Sequence, residues 1–315
     1  MIKTLLIFIL STVSLFAISN LEATKIYKAS GTVQSISIKD SKLYAGTSNG
    51  TVEIFDINTN EKINSIKIPD IKDFMGDVIA AKIYSIDIIE DKVLIVSQGM
   101  KGYRNIFLYE NEKLNKIIDI NQKYYIQKAS FISNKKIIFA LLSNQIGVYD
   151  FSKNKLEYLV QISPSYFSHF MISQDKNSIA STDESGKIRI IDVKTAQIIK
   201  DEMALNLDKV FQVDYKNGII LTAGQDRKVA VYKNFNSYSL SFDFLLYSCA
   251  LSQDGTLGAI AYNEQSDVLI FDTNSQEKLY NLKGQKATTT QILFKNKNEV
   301  FISSDDSNIN YFKLN

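Results

Sequence analysis

The stretch Lys187-Ile-Arg-Ile-Ile-Asp192 ends on a large apolar residue followed by a charged one, and this ending recurs along the chain. The other copies are Phe55-Asp56, Tyr109-Glu110, Tyr149-Asp150, Tyr232-Lys233, Phe271-Asp272 and Phe312-Lys313. With Ile191-Asp192 included, successive copies lie 54, 40, 42, 41, 39 and 41 residues apart. A period of about 40 residues is typical of β-propellers, in which each repeat is one four-stranded blade. The spacing therefore predicts an all-β fold with seven blades.

Repeat four shows the four strands of a blade most clearly, at 167–172, 178–182, 187–192 and 197–200. Asp, Asn, Ser and Gly occupy the connections between these runs. Such residues tolerate positive φ or hydrogen-bond their own backbone, as tight hairpins require. Large and small side chains alternate along the strands, which suits sheets that are covered by a neighbour on both faces.

The last repeat contains three strand-like segments, 289–294, 299–303 and 309–314, and lacks a fourth. Thr24–Ala29 is a strand-like segment near the N-terminus that belongs to no repeat. Adding it to the last blade would close the ring and cover an exposed sheet edge. We therefore expect residues 20–315 to form a seven-bladed propeller whose last blade is closed by the N-terminal strand.

Repeat six resembles the WD40 family. Leu246–Gly255 matches the family's first strand and its Ser-x-Asp-Gly turn, and Val268–Asp272 matches the third strand with its aromatic-Asp ending. The resemblance covers residues 24–315, but the chain has no Trp, and no Gly-His dipeptide precedes the first strand of a repeat. The family's hydrogen-bonded network of Asp, His, Ser and Trp is therefore expected to be absent, which would leave packing and turns to hold each blade.

Residues 1–19 have the organisation of a secretory signal peptide. Lys3 supplies the positive start, Leu5–Phe16 the apolar stretch, and Ala17 or Ser19 a small residue for cleavage. The apolar stretch is shorter than the ~20 residues that span a bilayer. We expect cleavage between Ile18 and Asn20 and a periplasmic mature protein without a stable membrane span.

Charge and reactive residues give little support for nucleic acid binding or for catalysis. The net charge is +2, and only three of the 36 basic residues are arginines, which weakens any case for bidentate phosphate recognition. His169 and Cys249 are the only residues of their types, so a usual zinc site cannot be assembled. We interpret His169 as a packing or channel-lining residue and Cys249 as a buried thiol. No catalytic residue, cofactor or metal ligand is predicted, and the protein is expected to be a monomer.

Two insertions near blade two account for the long 54-residue spacing. Residues 69–78 lie between blades one and two, and residues 98–104 join the second and third strands of blade two. In WD40-like rings these two kinds of connection share one face, so both insertions should lie on the same side. Their apolar, stacking and basic residues are of the kind found in interfaces. As partner-binding candidates we take Phe74, Met75, Met100, Lys101, Tyr103 and Arg104. The alternative is a variable surface loop.

The same face carries charged turns in blades four to seven. These turns are Asp183-Glu184, Asp226-Arg227, Glu264 with Asp267, and Asp305-Asp306. They indicate either a site for a cation or a basic partner, or ordinary solvated turns. Asp226 and Arg227 are added to the partner-binding candidates. Arg189, within the strand of blade four, is interpreted as an outward-facing residue.

The leader, the lysine-rich WD40-like ring and the insertion from Asp70 to Asp77, which runs into the strand from Lys82, together resemble one family. It is the WD40-like accessory protein of periplasmic nitrate reductase systems, the NapL type. The resemblance implies a non-enzymatic helper whose partner is a component of that system. Two alternatives stay open: an envelope-assembly scaffold, and a periplasmic lyase or lactonase with acidic metal ligands in the central opening.

Overall fold

The computed structural model describes residues 18–202, 204–234 and 236–314. They form six sheets of four antiparallel strands, a seventh sheet that has a parallel fifth strand, and a small two-stranded hairpin. The innermost strands of neighbouring blades contact one another in order, and the innermost strand of blade seven contacts that of blade one. This closed circle confirms the predicted all-β, seven-bladed propeller.

The strands are numbered in chain order, and the four strands of each blade run outward from the axis. The N-terminal strands are β1 (Ser19–Glu22) and β2 (Lys25–Lys28). Blade one contains β3 (Val33–Lys39), β4 (Lys42–Thr47), β5 (Thr51–Asp56) and β6 (Lys62–Lys67), and the hairpin β7 (Ile71–Lys72) and β8 (Val78–Ile79) follows it. Blade two contains β9 (Ile83–Ile89), β10 (Lys92–Gln98), β11 (Arg104–Glu110) and β12 (Lys113–Ile118), and blade three contains β13 (Ile126–Phe131), β14 (Lys136–Leu141), β15 (Gln145–Asp150) and β16 (Lys155–Gln161). Blade four contains β17 (Phe167–Ile172), β18 (Ser178–Asp183), β19 (Ile188–Asp192) and β20 (Ile198–Glu202). Blade five contains β21 (Val210–Lys216), β22 (Ile219–Gly224), β23 (Lys228–Tyr232) and β24 (Tyr238–Ser241). Blade six contains β25 (Cys249–Leu251), β26 (Leu257–Ala261), β27 (Val268–Asp272) and β28 (Lys278–Lys283). Blade seven contains β29 (Thr289–Asn296), β30 (Glu299–Ser304) and β31 (Asn308–Lys313).

Helical structure in the described ranges is limited to two short 3-10 turns, Met100–Gly102 and Ile120–Gln122. No helix within those ranges has the length and apolar character needed to cross a membrane.

The repeated apolar-acidic ending has a structural reason. The apolar member packs into the core between blades, as Phe55, Ile191 and Phe271 do. Where the second residue is Asp, at positions 56, 150, 192 and 272, it caps the turn between the third and fourth strands, because its carboxylate accepts backbone N–H groups that the turn leaves unpaired. Asp272 Oδ1, for example, accepts from the backbone nitrogens of residues 274 and 275, each at 2.8 Å. Seven buried apolar clusters lie between adjacent blades, so each repeat is covered on both faces.

The N-terminal strand closes the last blade as predicted. β2 pairs antiparallel with β31 and so provides the fourth strand of blade seven. Tyr27 of β2 is buried against Phe55 and Phe301, and its hydroxyl donates to the carbonyl of Ile57 at 2.9 Å. The strand therefore contributes core packing as well as a covered edge.

The N-terminus also extends blade six, which the sequence did not predict. β1 pairs in parallel with β28, from Ser19 opposite Tyr280 to Glu22 opposite Lys283, and gives blade six a fifth strand. Leu21 packs against the cluster between blades six and seven. The leader predicted over residues 1–19 lies mostly outside the described residues, and its cleavage stays a prediction.

Packing and turns are not the only contacts that hold the blades, so that expectation is wrong. In blade five, the buried Thr222 hydroxyl donates to Asn206 Oδ1 at 2.6 Å, and the Asn206 amide donates to Asp226 Oδ1 at 3.0 Å. A Thr–Asn–Asp chain thus ties the second strand to two loops without His or Trp, because hydroxyl and amide groups can satisfy the same buried donors and acceptors.

Arg189 is also not an outward-facing solvated residue. Its side chain is 11% exposed, and its Nη1 donates to the buried Asp183 Oδ2 at 2.6 Å. Although burial raises the pKa of Asp183, hydrogen bonds from Ser185 and Arg189 outweigh burial and hold the pKa below its usual value. Asp183 is therefore a structural carboxylate and not a free surface charge.

Candidate binding face and central channel

The first insertion forms a projecting hairpin. β7 pairs with β8, and the connecting turn is closed by Asp73, whose Oδ1 accepts from the backbone nitrogens of Met75 at 2.8 Å and Asp77 at 2.9 Å. At its tip, Phe74 is fully exposed and Met75 is 80% exposed. Large apolar side chains held in water by an ordered turn are typical of an interaction site.

The second insertion lies beside the first. The backbone nitrogen of Gln98 donates to the carbonyl of Lys82 at 2.7 Å, which joins the bases of the two insertions. Met100 is exposed, and the loop turns at Lys101 and Gly102, both with positive φ. The two predicted insertions are therefore brought together on one face of the ring.

Tyr103 and Arg104 have contacts within the protein. The Tyr103 ring packs on Tyr125 with 4.8 Å between ring centroids. The Arg104 guanidinium lies 3.7 Å from the centroid of the Tyr84 ring, and its Nη1 donates to the carbonyl of Ile126 at 2.7 Å. Arg104 therefore bridges blades two and three, whereas the more exposed groups are Phe74 and Met75.

Asp226 and Arg227 lie in the corresponding turn of blade five. Asp226 accepts from Asn206 and from the backbone nitrogen of Leu207 at 2.8 Å, so its carboxylate organises two loops. Arg227 is exposed with positive φ. Beside them, Leu207 is 76% exposed, a feature that the sequence analysis missed.

Other exposed apolar groups occupy connections on the same face. They are Tyr125, Leu142 and Tyr166. Each lies in a loop between strands, where apolar residues are unusual, and that placement was the signal available in the sequence. Exposed apolar side chains thus occur on this face from blade two to blade five and are not confined to the insertions.

The charged turns do not converge on a cation site. Asp183 is paired with Arg189, Asp226 with Asn206, and Asp306 Oδ1 accepts from the backbone of Asn308 at 2.8 Å. Across residues 18–202, 204–234 and 236–314, no three His, Cys, Asp or Glu side chains come together as metal ligands. These acids mainly satisfy loop N–H groups.

The axis is lined by polar side chains that join neighbouring blades. Gln212 Oε1 accepts from the backbone nitrogen of Cys249 at 2.8 Å, and Gln291 Oε1 accepts from that of Ile36 at 2.8 Å. Asp87 Oδ2 accepts from the backbone nitrogen of Phe131 at 2.7 Å. These bonds cross three different boundaries between blades. They supply acceptors for N–H groups on the innermost edge of each sheet.

His169 takes part in the same arrangement. Its Nε2 lies 2.8 Å from Lys128 Nζ, and its Nδ1 lies 3.1 Å from the Val213 carbonyl oxygen. Burial, and then the charge of Lys128, lowers the pKa of His169 well below its usual value. The ring is therefore neutral near pH 7, with Nε2 accepting from the lysine and the Nδ1 hydrogen directed to Val213. The interpretation of His169 as a packing residue on the channel agrees with these contacts.

Cys249 is a buried free thiol, as expected. Burial, reinforced by the Asp214 carboxylate, raises the pKa of Cys249 well above its usual value. The sulfur therefore stays protonated and lies 3.5 Å from the carbonyl oxygens of Gln212 and Leu221. A protonated, enclosed thiol is a poor nucleophile.

Comparisons with known proteins agree with the fold. No family model matches the chain. A WD repeat-containing protein 55 homolog from Dictyostelium discoideum is 23% identical over 229 residues, which are 70% of this chain and 55% of that protein. The match thus spans about half the length of that relative. Among solved structures, the β-propeller domain of Cps50 (Swd1) from Myceliophteria thermophila has a TM-score of 0.76 with 14% identity, covering 93% of this chain and 99% of that one. This likeness shows the WD40-like propeller fold.

Proposed function

We propose that this propeller is a non-enzymatic scaffold that binds a protein partner through the face bearing the blade-two insertions. The carrying observation is the hairpin tip, where Phe74 and Met75 are held in solvent by an ordered turn. Because the turn is already organised, ordering it on binding has a small entropic cost. WD-repeat propellers generally mediate protein–protein interactions, which favours this class of function.

The finer proposal is export to the periplasm and a partner from the periplasmic nitrate reductase system. Its support is the leader-like composition of residues 1–19 and the resemblance of the insertion between Asp70 and Asp77 to the accessory proteins of those systems. The enzymatic alternative needs acidic metal ligands around the axis. In the part of the chain that the structure describes, the axial carboxylates Asp87 and Asp214 instead accept backbone N–H groups.

The test is affinity capture from envelope extract with the double variant Phe74→Ser, Met75→Ser. Removing two apolar anchors should weaken capture by more than ~1 kcal/mol for each residue that is a binding hot spot. Ile199→Ser is the matched control, because Ile199 is also exposed, at 61%, but lies on the outermost strand of blade four.

Equal capture by the double variant and the control would contradict the proposed face. Nitrate reduction in a deletion strain tests the finer proposal separately. Normal nitrate reduction, with no reductase component captured, would leave the scaffold but remove this partner.

A further inference from the structure

The central channel encloses a cavity of about 370 Å³. Lys128 lines it, and within the described part of the chain its ammonium forms one hydrogen bond, to His169 Nε2, which leaves two of its three hydrogens unused. Among the described residues, no carboxylate lies within ion-pair distance of Lys128 Nζ. The cavity therefore contains a charged donor with unused hydrogens.

The nearby carboxylates, Asp87 and Asp214, do not accept a hydrogen bond from Lys128 and so leave its ammonium available to a ligand. Asp87 accepts from the backbone nitrogens of Phe131 and Ile88, at 2.7 and 2.9 Å. Asp214 accepts from those of Leu251 and Tyr215, each at 2.8 Å. Both acids are thus directed at the backbone.

The charges around the cavity leave an excess of one positive charge. Lys216 Nζ lies 3.8 Å from Asp214 Oδ1, and Lys176 acts on Asp87 through its charge. Of the charged side chains that line the cavity, Lys128 and Lys216 are positive and Asp214 is negative, whereas Lys176 and Asp87 lie outside the lining and offset each other. A single negative charge would balance this set, whereas a dianion would add repulsion from the acids.

Two hydroxyl groups line the same cavity without a partner. The Ser85 and Ser168 oxygens are buried and make no hydrogen bond within the described part of the chain. A buried hydroxyl without a partner is unfavourable, and such groups normally bind something polar. Because these two oxygens have no accessible surface, they reach a bound carboxylate only by a change of rotamer, and Lys128 is the donor that the cavity already presents.

We propose that the central cavity binds a carboxylate group, with Lys128 as the charged donor and with the Ser85 and Ser168 hydroxyls joining it after a change of side-chain rotamer. The carboxylate comes either from a small organic acid or from an acidic side chain of a protein. This inference stands independently of the proposed scaffold function, because it concerns the axis and not the hairpin face.

His169 provides a reporter for the test, because it is the only histidine of the chain and it contacts Lys128. Acetate added to the exported protein at constant ionic strength should shift the ring nitrogen signals of His169 in NMR spectra, with saturation. Lys128→Gln should weaken this binding by roughly tenfold or more, since hydrogen bonds to charged groups are among the stronger ones. Lys128→Arg should retain part of it. Lys123→Gln, an exposed lysine change outside the cavity, is the matched control.

A second measurement needs no variant. Burial lowers the pKa of Lys128 to about 8, although Asp87 and Asp214 oppose this and Lys216 assists it. Because His169 stays neutral near and above pH 7, the positive charge of this pair belongs to Lys128. That charge is lost as pH rises through the pKa of Lys128. Acetate affinity should therefore fall by roughly tenfold between about pH 7 and about pH 9. An affinity that does not change over this range would overturn the proposal.

The source of the carboxylate is distinguished by a blocked Gly-Glu-Gly peptide and its Gln counterpart. Shifts with acetate alone indicate a small acid, and shifts with the Glu peptide but not the Gln peptide indicate a protein side chain. No saturable shift with either probe, tighter binding of inorganic phosphate than of acetate, or an equal response in Lys128→Gln would each overturn the proposal.

Discussion

At the scale of single residues, the polar groups of this protein work mainly as connectors. Arg189 pairs with the buried Asp183, and Asn206 joins Thr222 to Asp226. Each of these groups lies where two strands or loops meet, so its loss affects more than one element. Their energetic weight follows from burial, because an unpaired polar group inside a protein cannot return to water.

Replacing Arg189 with Met should destabilise the protein by about 3 kcal/mol near neutral pH, since it leaves the buried Asp183 carboxylate without a positive counter-charge. In the native protein the pKa of Asp183 is lowered, so its stabilisation is present above its unfolded pKa and is lost as pH falls. The difference between the variant and the native protein should therefore shrink as pH falls through the native pKa of Asp183, which lies below the usual value for an aspartate. Urea unfolding near neutral pH and at acid pH measures the free energy of unfolding of both proteins. A difference that stays constant between the two conditions would contradict the ion-pair argument.

Thr222→Val removes a buried hydroxyl while keeping the shape of the side chain. Asn206 Oδ1 loses its donor, and the Ala230 backbone nitrogen loses an acceptor at 3.3 Å. We expect a loss of roughly 1–3 kcal/mol in the free energy of unfolding. Thr59→Val, in an exposed turn, is the control and should have little effect. Equal effects of the two changes would show that the Thr–Asn–Asp chain does not stabilise blade five.

At the scale of secondary structure elements, the two N-terminal strands differ in how much they contribute to the free energy of unfolding. β2 places the buried Tyr27 between Phe55 and Phe301, whereas the residues of β1 are mostly exposed and cover the outer edge of blade six. Apolar burial contributes about 25 cal/mol per Å², so the strand that buries an aromatic side chain contributes more. In the hairpin β7–β8, Ile71 packs against the cluster between blades one and two while Phe74 and Met75 remain exposed, which suits a contact element.

Deleting Thr24–Ala29 should lower the free energy of unfolding by several kcal/mol, a large part of typical domain stability. Deleting Ser19–Glu22 should have a clearly smaller effect, because it removes one exposed edge strand. Thermal unfolding of the two variants side by side measures the difference. An unchanged transition after the first deletion would refute closure of the ring through β2.

At the scale of the whole molecule, closure and axial contacts act together. The innermost strands form a complete circle, and side chains such as Gln212 and Gln291 bond the backbone of the next blade. Because β2 pairs with β31, the first and last blades are joined and neither chain end leaves an unpaired blade at which the ring could separate. It can therefore present connections from several blades as one ordered surface.

The mature exported chain should begin between Ile18 and Asn20, which leaves most or all of β1 in place. Intact-mass measurement of the periplasmic protein checks this expectation. Full-length protein retained in the inner membrane would contradict it.

The sequence by itself determined the seven blades, the closing strand and the two insertions, because a regular period and turn chemistry are local properties. The apolar-acidic endings such as Phe271-Asp272 carry both core packing and the turn cap within neighbouring residues. Only the tertiary structure decided the surroundings of Arg189, the exposure of Leu207 and the pairing of β1 with β28. It also decided that Lys128 meets His169 at the axis. The β1–β28 and Lys128–His169 contacts join residues tens to hundreds of positions apart, and the burial that gives the nearby Arg189–Asp183 pair its energy arises only when the blades are packed into the ring.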